Sequence, residues 1–156
     1  MTVCTKEKQP FLCEIVGDGV LDVPSKTKML AIGAIAEKYL RQMSAFYENV
    51  SVAKYVIMPN HIHFLIVVES GTSRTPSPTN KTDGTSRTPS PTKQNSVVSR
   101  FVSTFKRFCN KEIGENVWQR SFNDHIIRNQ EDFDKHWQYI DENPLRWRLD
   151  ELYLSP

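Results

Sequence analysis

Residues 51–68 constrain this chain most. Ser51 to Met58 alternates Val52, Lys54 and Val56 with other residues. His61 to Val68 ends in the unbroken apolar run Phe64-Leu-Ile-Val-Val68, and Pro59-Asn60 separates the two as a tight turn. Period-two alternation marks a half-buried strand and a short apolar run a buried one, so both stretches belong to a sheet. Two more short strands are expected before it, Met1 to Thr5 and Phe11 to Val16, with a turn at Gly17-Asp-Gly19.

Helical spacing takes over between these strands and again near the end. Pro24-Ser25 predicts a helix start, and Met29, Ile32, Ala36, Leu40, Met43 and Tyr47 carry the apolar stripe to Asn49. Val98, Phe101, Val102, Phe105 and Phe108 form the packing face of a second helix whose other face carries Arg100, Thr104, Arg107 and Lys111. An extended stretch, Val117 to Ile127, leads to a last helix from about Glu131 to Glu142. There Phe133, Trp137 and Ile140 make the buried stripe, and Asn143-Pro144 ends it. The order predicts an α+β fold, a sheet with helices gathered on one face.

Residues 70–96 stand apart: Gly71-Thr-Ser-Arg-Thr-Pro-Ser-Pro-Thr79 recurs at Gly84 to Thr92, a period of 13 residues with nothing apolar to bury. We expect a mobile, extended insertion in one domain spanning 1–156. A length of 156 residues with 38% hydrophobic and 10% aromatic residues is one core's worth and excludes a disordered tail. No apolar run approaches the roughly 18–20 residues of a membrane span, and the N-terminus is too polar for a secretory leader, so a soluble cytoplasmic protein is expected. Cys4, Cys13 and Cys109, with no CxxC pair, exclude a disulfide scaffold or zinc ribbon and read as reduced thiols. The net charge of +2 hides a basic middle, four basic residues to one acidic over 70–96, and an acidic end, three to seven over 129–156. A basic patch permits nucleic-acid binding without requiring it.

His61-Ile62-His63 opens a strand, where alternate residues share a face, so both imidazoles can meet one ion. Alone, such a pair reads equally well as two ordinary imidazoles. On the last helix His136, Tyr139 and Asn143 lie at spacings of three and four and share a face. Together, the two histidines and the Asn143 oxygen can hold a divalent ion with positions open for a phosphate, while the Tyr139 hydroxyl attacks it. A phenol of pKa about 10 is a weak nucleophile and needs such a cation. The mixed nitrogen and oxygen donors favour Mg²⁺ or Mn²⁺ over structural zinc.

Tyr55-Val-Ile-Met-Pro-Asn-His-Ile-His63, followed by Trp118-Gln119, Asp124-His-Ile-Ile-Arg128 and Tyr139-Ile-Asp-Glu-Asn-Pro144, closely resembles the REP-associated tyrosine transposases of the single-tyrosine HUH superfamily, over nearly the whole chain. The resemblance implies a ferredoxin-like antiparallel sheet and action on single-stranded, hairpin-forming DNA of the repetitive extragenic palindrome type. It also implies a 5′-phosphotyrosine link with release of a 3′-hydroxyl, a homodimer, and a place at the nucleoid. It makes His61 and His63 metal ligands, Tyr139 the nucleophile and Asn143 the third ligand. His125 lies in a segment the family also carries, and either approaches the scissile phosphate or fixes its strand; His136 is a supporting residue by spacing. Arg100, Arg107, Lys111 and Arg128 are the DNA-binding candidates. Relatives carry residues ahead of the first strand and a shorter loop in place of the repeat. Rival readings are a domesticated or inactive hairpin-binding protein without turnover, and a metal-dependent phosphoesterase in which water attacks.

Overall fold

A computed structural model describes residues 1–16, 26–69 and 92–153. Its elements are β1 (Thr2–Cys4), β2 (Cys13–Val16), β3 (Lys26–Met29), α1 (Ala31–Phe46), β4 (Val50–Ile57), β5 (His61–Val68), α2 (Thr92–Ile113) and α3 (Gln130–Glu142), with short 3₁₀ turns at Lys6–Lys8 and Trp147–Leu149. The strands form an antiparallel sheet in the order β1-β5-β4 and a separate β2-β3 pair. Among the described residues no helix is long and apolar enough to cross a membrane.

β5 is the middle strand, paired with β1 in the register Thr2↔His63, Val3↔Ile62, Cys4↔His61 and with β4 through Val56↔His63 and Ile57↔Ile62. Its side chains therefore divide by parity. Ile62 and Phe64 point into the core, where Phe64 meets Phe101 and Phe105 of α2 at ring distances of 6.2 and 6.5 Å. The α2 face Phe101, Val102, Phe105 and Cys109 is buried, as is the α1 stripe Ala36, Leu40 and Met43. His61, His63 and Leu65 point the other way, towards α3, whose Tyr139 ring lies 5.1 Å from that of His63. α1 and α2 thus share one face of the sheet, and α3 lies across the other.

The helices are therefore not all gathered on one face of the sheet, and three further expectations change. Residues 26–29 are not the first turn of a helix but strand β3, in register with β2 from Cys13↔Met29 to Val16↔Lys26, and α1 starts only at Ala31. Met29 fell on the helical period by coincidence; pairing satisfies its backbone groups as well as a helix would. At this junction Gly33 lies so close to the Leu12 carbonyl that a Cβ would sit 1.9 Å from its oxygen. Residues 117–127 are extended but join β1 only through isolated bridges, Thr5↔Trp118 and Thr2↔Asn123. Lys106 ties this segment to α2 by donating to the Gln119 and Ser121 carbonyls at 2.7 and 2.8 Å. Of the stripe Phe133, Trp137 and Ile140, only Ile140 is buried; Trp137 lies exposed with the Lys54 ammonium 4.0 Å above its ring.

The turn at 17–19, the helix start at 24–25 and residues 70–91 of the repeat segment lie outside the described residues, and α2 begins at Thr92. All three cysteines are free and buried, and burial pushes the Cys13 and Cys109 thiols up to about 12.

Candidate active site

His61 and His63 reach the α3 side of the sheet because alternate residues of β5 share a face, and the strand itself is paired along both edges. His61 is fully buried and His63 nearly so. Burial disfavours the charged ring and pulls their pKa values down to about 4 and about 3; Asp150 works against this at His61, whereas His63 is pulled further down by His61 and the chain's amino terminus. Both are neutral near pH 7, as metal ligands must be.

The tautomer of His61 is set by its neighbour Asn60. Asn60 Nδ2 donates to the Leu152 carbonyl at 2.7 Å, which orients the amide so that its oxygen meets His61 Nδ1, also at 2.7 Å. Nδ1 therefore carries the proton, and the Nε2 lone pair is left as a donor. That Nε2 is buried with no hydrogen-bond partner, and so is Asn143 Oδ1. His63 Nδ1 bonds the Thr2 hydroxyl at 2.8 Å, and its Nε2 lies 3.4 Å from the Tyr139 hydroxyl.

α3 brings Tyr139 and Asn143 to this face one turn apart. Asn129 caps the helix, its side chain accepting from the Asp132 N–H at 2.8 Å, and Asn143 closes it with helical dihedrals. The chain then doubles back through Trp147–Leu149, with the Trp147 ring 5.9 Å from that of His61, and delivers Asp150. Sequence reasoning missed Asp150. Its Oδ1 accepts from the Leu152 N–H at 2.7 Å, while its Oδ2 meets the Tyr139 hydroxyl at 3.4 Å and Asn143 Nδ2 at 3.3 Å. One ligand atom each from His61, His63 and Asp150 lies within 4.8 Å of the others.

Two neutral imidazoles and a carboxylate fit a divalent cation: unpartnered polar atoms inside a protein are costly, and an ion held by His61, His63 and Asp150 would give His61 Nε2 a partner. The Tyr139 phenol points to the same need. Burial, and then the Asp150 charge, raise its pKa above the usual tyrosine value, so ionisation requires a compensating cation. Tyr139 is still 48% exposed and borders a cavity of about 770 Å³ with Lys135, Gln138, Arg146, Leu149 and Asp150.

The other expected residues are distributed unevenly. His125 and His136 come together with Asp132 and share a second cavity, of about 440 Å³, with His63 and Tyr139. Arg128 is exposed in the segment leading to α3. Arg100, Arg107 and Lys111 are exposed on α2, on the opposite face of the sheet, so they do not border the Tyr139 cavities.

Set against known proteins, the chain is 30% identical over 160 residues to an uncharacterized protein of Haemophilus influenzae, an alignment covering 99% of this chain and 84% of that protein. Its structure is similar to that of a REP-associated tyrosine transposase bound to a REP hairpin, with a TM-score of 0.58 at 18% identity over 94% of this chain. The chain spans 65% of the length of that transposase. No protein-family model matches the chain. The architecture shared with that structure is an α+β fold with an antiparallel sheet.

Proposed function

This chain belongs to the same family as the Haemophilus influenzae protein, and from that premise and the shared fold we propose that it is a metal-dependent transposase that nicks and rejoins hairpin-forming single-stranded DNA. The substrate class is the repetitive extragenic palindrome, and the protein acts as a homodimer in the cytoplasm, at the nucleoid. The observation that carries this reading is the cluster of His61, His63 and Asp150, with His61 Nε2 and Asn143 Oδ1 buried and unpartnered and the Tyr139 hydroxyl 3.4 Å from both His63 Nε2 and Asp150 Oδ2.

His61, His63 and Asp150, with Asn143 Oδ1 alongside, would hold Mg²⁺ or Mn²⁺. What the ion supplies there is polarisation of the phosphate and compensation of the phenolate charge. Tyr139 attacks the phosphorus: its phenolic oxygen forms the new P–O bond and the bond to the 3′ oxygen breaks. A 5′-phosphotyrosine and a 3′-hydroxyl result. The phenolic proton leaves through Asp150 or water, and the departing 3′ oxygen takes one up. Attack by a 3′-hydroxyl on the phosphotyrosine reverses the step, so rejoining consumes neither water nor nucleotide.

Lys135, Gln138 and Arg146 border the Tyr139 cavity and suit a single strand. Arg128, exposed in the segment before α3, is assigned to the same strand. We assign Arg100, Arg107 and Lys111, on the far face, to the duplex arm of the hairpin, as sequence-independent phosphate contacts. His125 and His136 support the site from the neighbouring cavity.

The test is incubation with end-labelled hairpin DNA from the genomic flanks, with and without Mn²⁺, run on a denaturing gel beside Tyr139→Phe and His61→Ala. A metal-dependent covalent protein–DNA band that both variants lose is expected. Tight binding with no band would make the protein a hairpin binder without turnover, and cut DNA without a band a phosphoesterase; either result overturns the proposal.

A further inference from the structure

A second group of ligand-type side chains lies apart from the His61–His63–Asp150 cluster. His125, in the segment before α3, and His136, one turn beyond Asp132 on α3, converge on the two oxygens of one carboxylate. His125 Nε2 is 2.9 Å from Asp132 Oδ2, and His136 Nδ1 is 3.1 Å from Oδ1 and 2.8 Å from the Asp132 backbone carbonyl, to which it donates. The two imidazoles stack, 4.7 Å between centroids and 12° between planes. One ligand atom from each of the three residues lies within 4.8 Å of the others.

We propose that His125, Asp132 and His136 form a second divalent-metal site, suited to a borderline transition ion such as Zn²⁺ or Co²⁺. Two imidazoles and one carboxylate are donors that zinc and its neighbours accept. Rigidity comes from α3, which carries Asp132 and His136 at the i,i+4 spacing that puts two donors on one helix face. The stacking holds the third donor parallel to the second. Access is open, since the side chains of His125, His136 and Asp132 are 56%, 33% and 24% exposed. In the metal-free arrangement His136 Nδ1 is shared between the Asp132 carboxylate and the Asp132 backbone carbonyl, and a cation bound by the carboxylate and both rings would replace these bonds. Three protein donors leave further positions for water. His125 and His136 border the cavity that also contains Tyr139 and His63, so the ion would sit at the edge of the reactive groove and pin the start of α3 to the preceding segment.

The experiment counts ions. The whole chain is dialysed to equilibrium against Co²⁺, bound metal is measured by elemental analysis, and the visible absorption of the complex is recorded. The wild type is compared with His125→Asn, Asp132→Asn and the pair His61→Ala/His63→Ala. Two Co²⁺ per chain are expected in the wild type, falling to one in His125→Asn and in Asp132→Asn. His125 is exposed, so its variant keeps the fold, which circular dichroism checks, and decides the matter even if the buried pair does not fold. Two ions retained in His125→Asn overturn the proposal, as does a single wild-type ion that survives both His125→Asn and Asp132→Asn. A single ion lost in both of those variants upholds it while counting against the His61 and His63 site, so the two readings fail separately.

Discussion

Asn60 decides which nitrogen of His61 carries the proton, and through it which nitrogen is left to bind an ion. Replacing it by alanine leaves both nitrogens of a buried ring without direction. Asn60→Ala should weaken Mn²⁺ binding by roughly 10–100-fold, the usual cost of losing a residue that orients a ligand, read by Mn²⁺ titration with Thr2→Val as the parallel case for His63. The same burial makes stability depend on pH. The folded-state values of His61 and His63, about 4 and about 3, lie below the unfolded value of 6.5, so the unfolded chain binds more protons throughout that interval. The contribution is fully present above pH 6.5 and is lost as pH falls towards 4 and 3, with a slope of up to about 1.4 kcal/mol per pH unit for each histidine. Urea midpoints of the metal-free protein should fall from pH 7 to pH 5, and His63→Gln should flatten the curve. His61, His63, Tyr139 and Asn143 were legible because strand and helix periods turn spacing into shared faces. Asp150 was not: it lies beyond the end of α3, and only the docking of Leu152 on Asn60 and of Trp147 beside His61 brings it back.

At the scale of elements, the junction of β3 and α1 is the least forgiving place. A methyl group on Gly33 would meet the Leu12 carbonyl oxygen at 1.9 Å and the Met29 sulfur at 2.7 Å. The carbonyl is backbone and already accepts from the Leu30 N–H, so α1 itself must move. Gly33→Ala should cost about 3 kcal/mol, the upper end for overpacking, measured by urea unfolding. Asn129→Ala removes the cap of α3 and should cost about 1 kcal/mol, small for the fold but felt at Tyr139 as slower adduct formation. The cores of α1 and α2 could be read from their stripes, since Ala36, Leu40, Phe101 and Phe105 are buried as their spacing demands. β3 could not, because Lys26-Thr27-Lys28-Met29 has no pattern of its own and becomes a strand only by pairing with β2. The exposed Trp137 was misread for a related reason: its partner is Lys54 of β4, 83 positions away, and no local period encodes that contact.

Over the whole molecule, the catalytic reading couples metal binding to folding, since both imidazoles, Asp150 and Asn143 meet only in the native state. Mn²⁺ at 100 times its dissociation constant should add about 2.7 kcal/mol of stability, seen as a rise in the melting temperature that His61→Ala abolishes. Its absence in the wild type would sink the reading. The α+β class and the sheet's central strand were legible from the alternation over 51–58 and the apolar run to Val68. The opposed placement of α3 was not, because an amphipathic helix announces that it packs, not on which side. β5 has the largest consequence. It is a tape written on both sides, hydrocarbon through Ile62 and Phe64 and chemistry through His61 and His63. Insertion or deletion of one residue within it would exchange the two texts, turning both imidazoles into the interior and the phenylalanine out towards Tyr139. A lineage carrying this strand can therefore substitute letters on either side but cannot shift the frame, and it loses its core and its histidine pair in the same event.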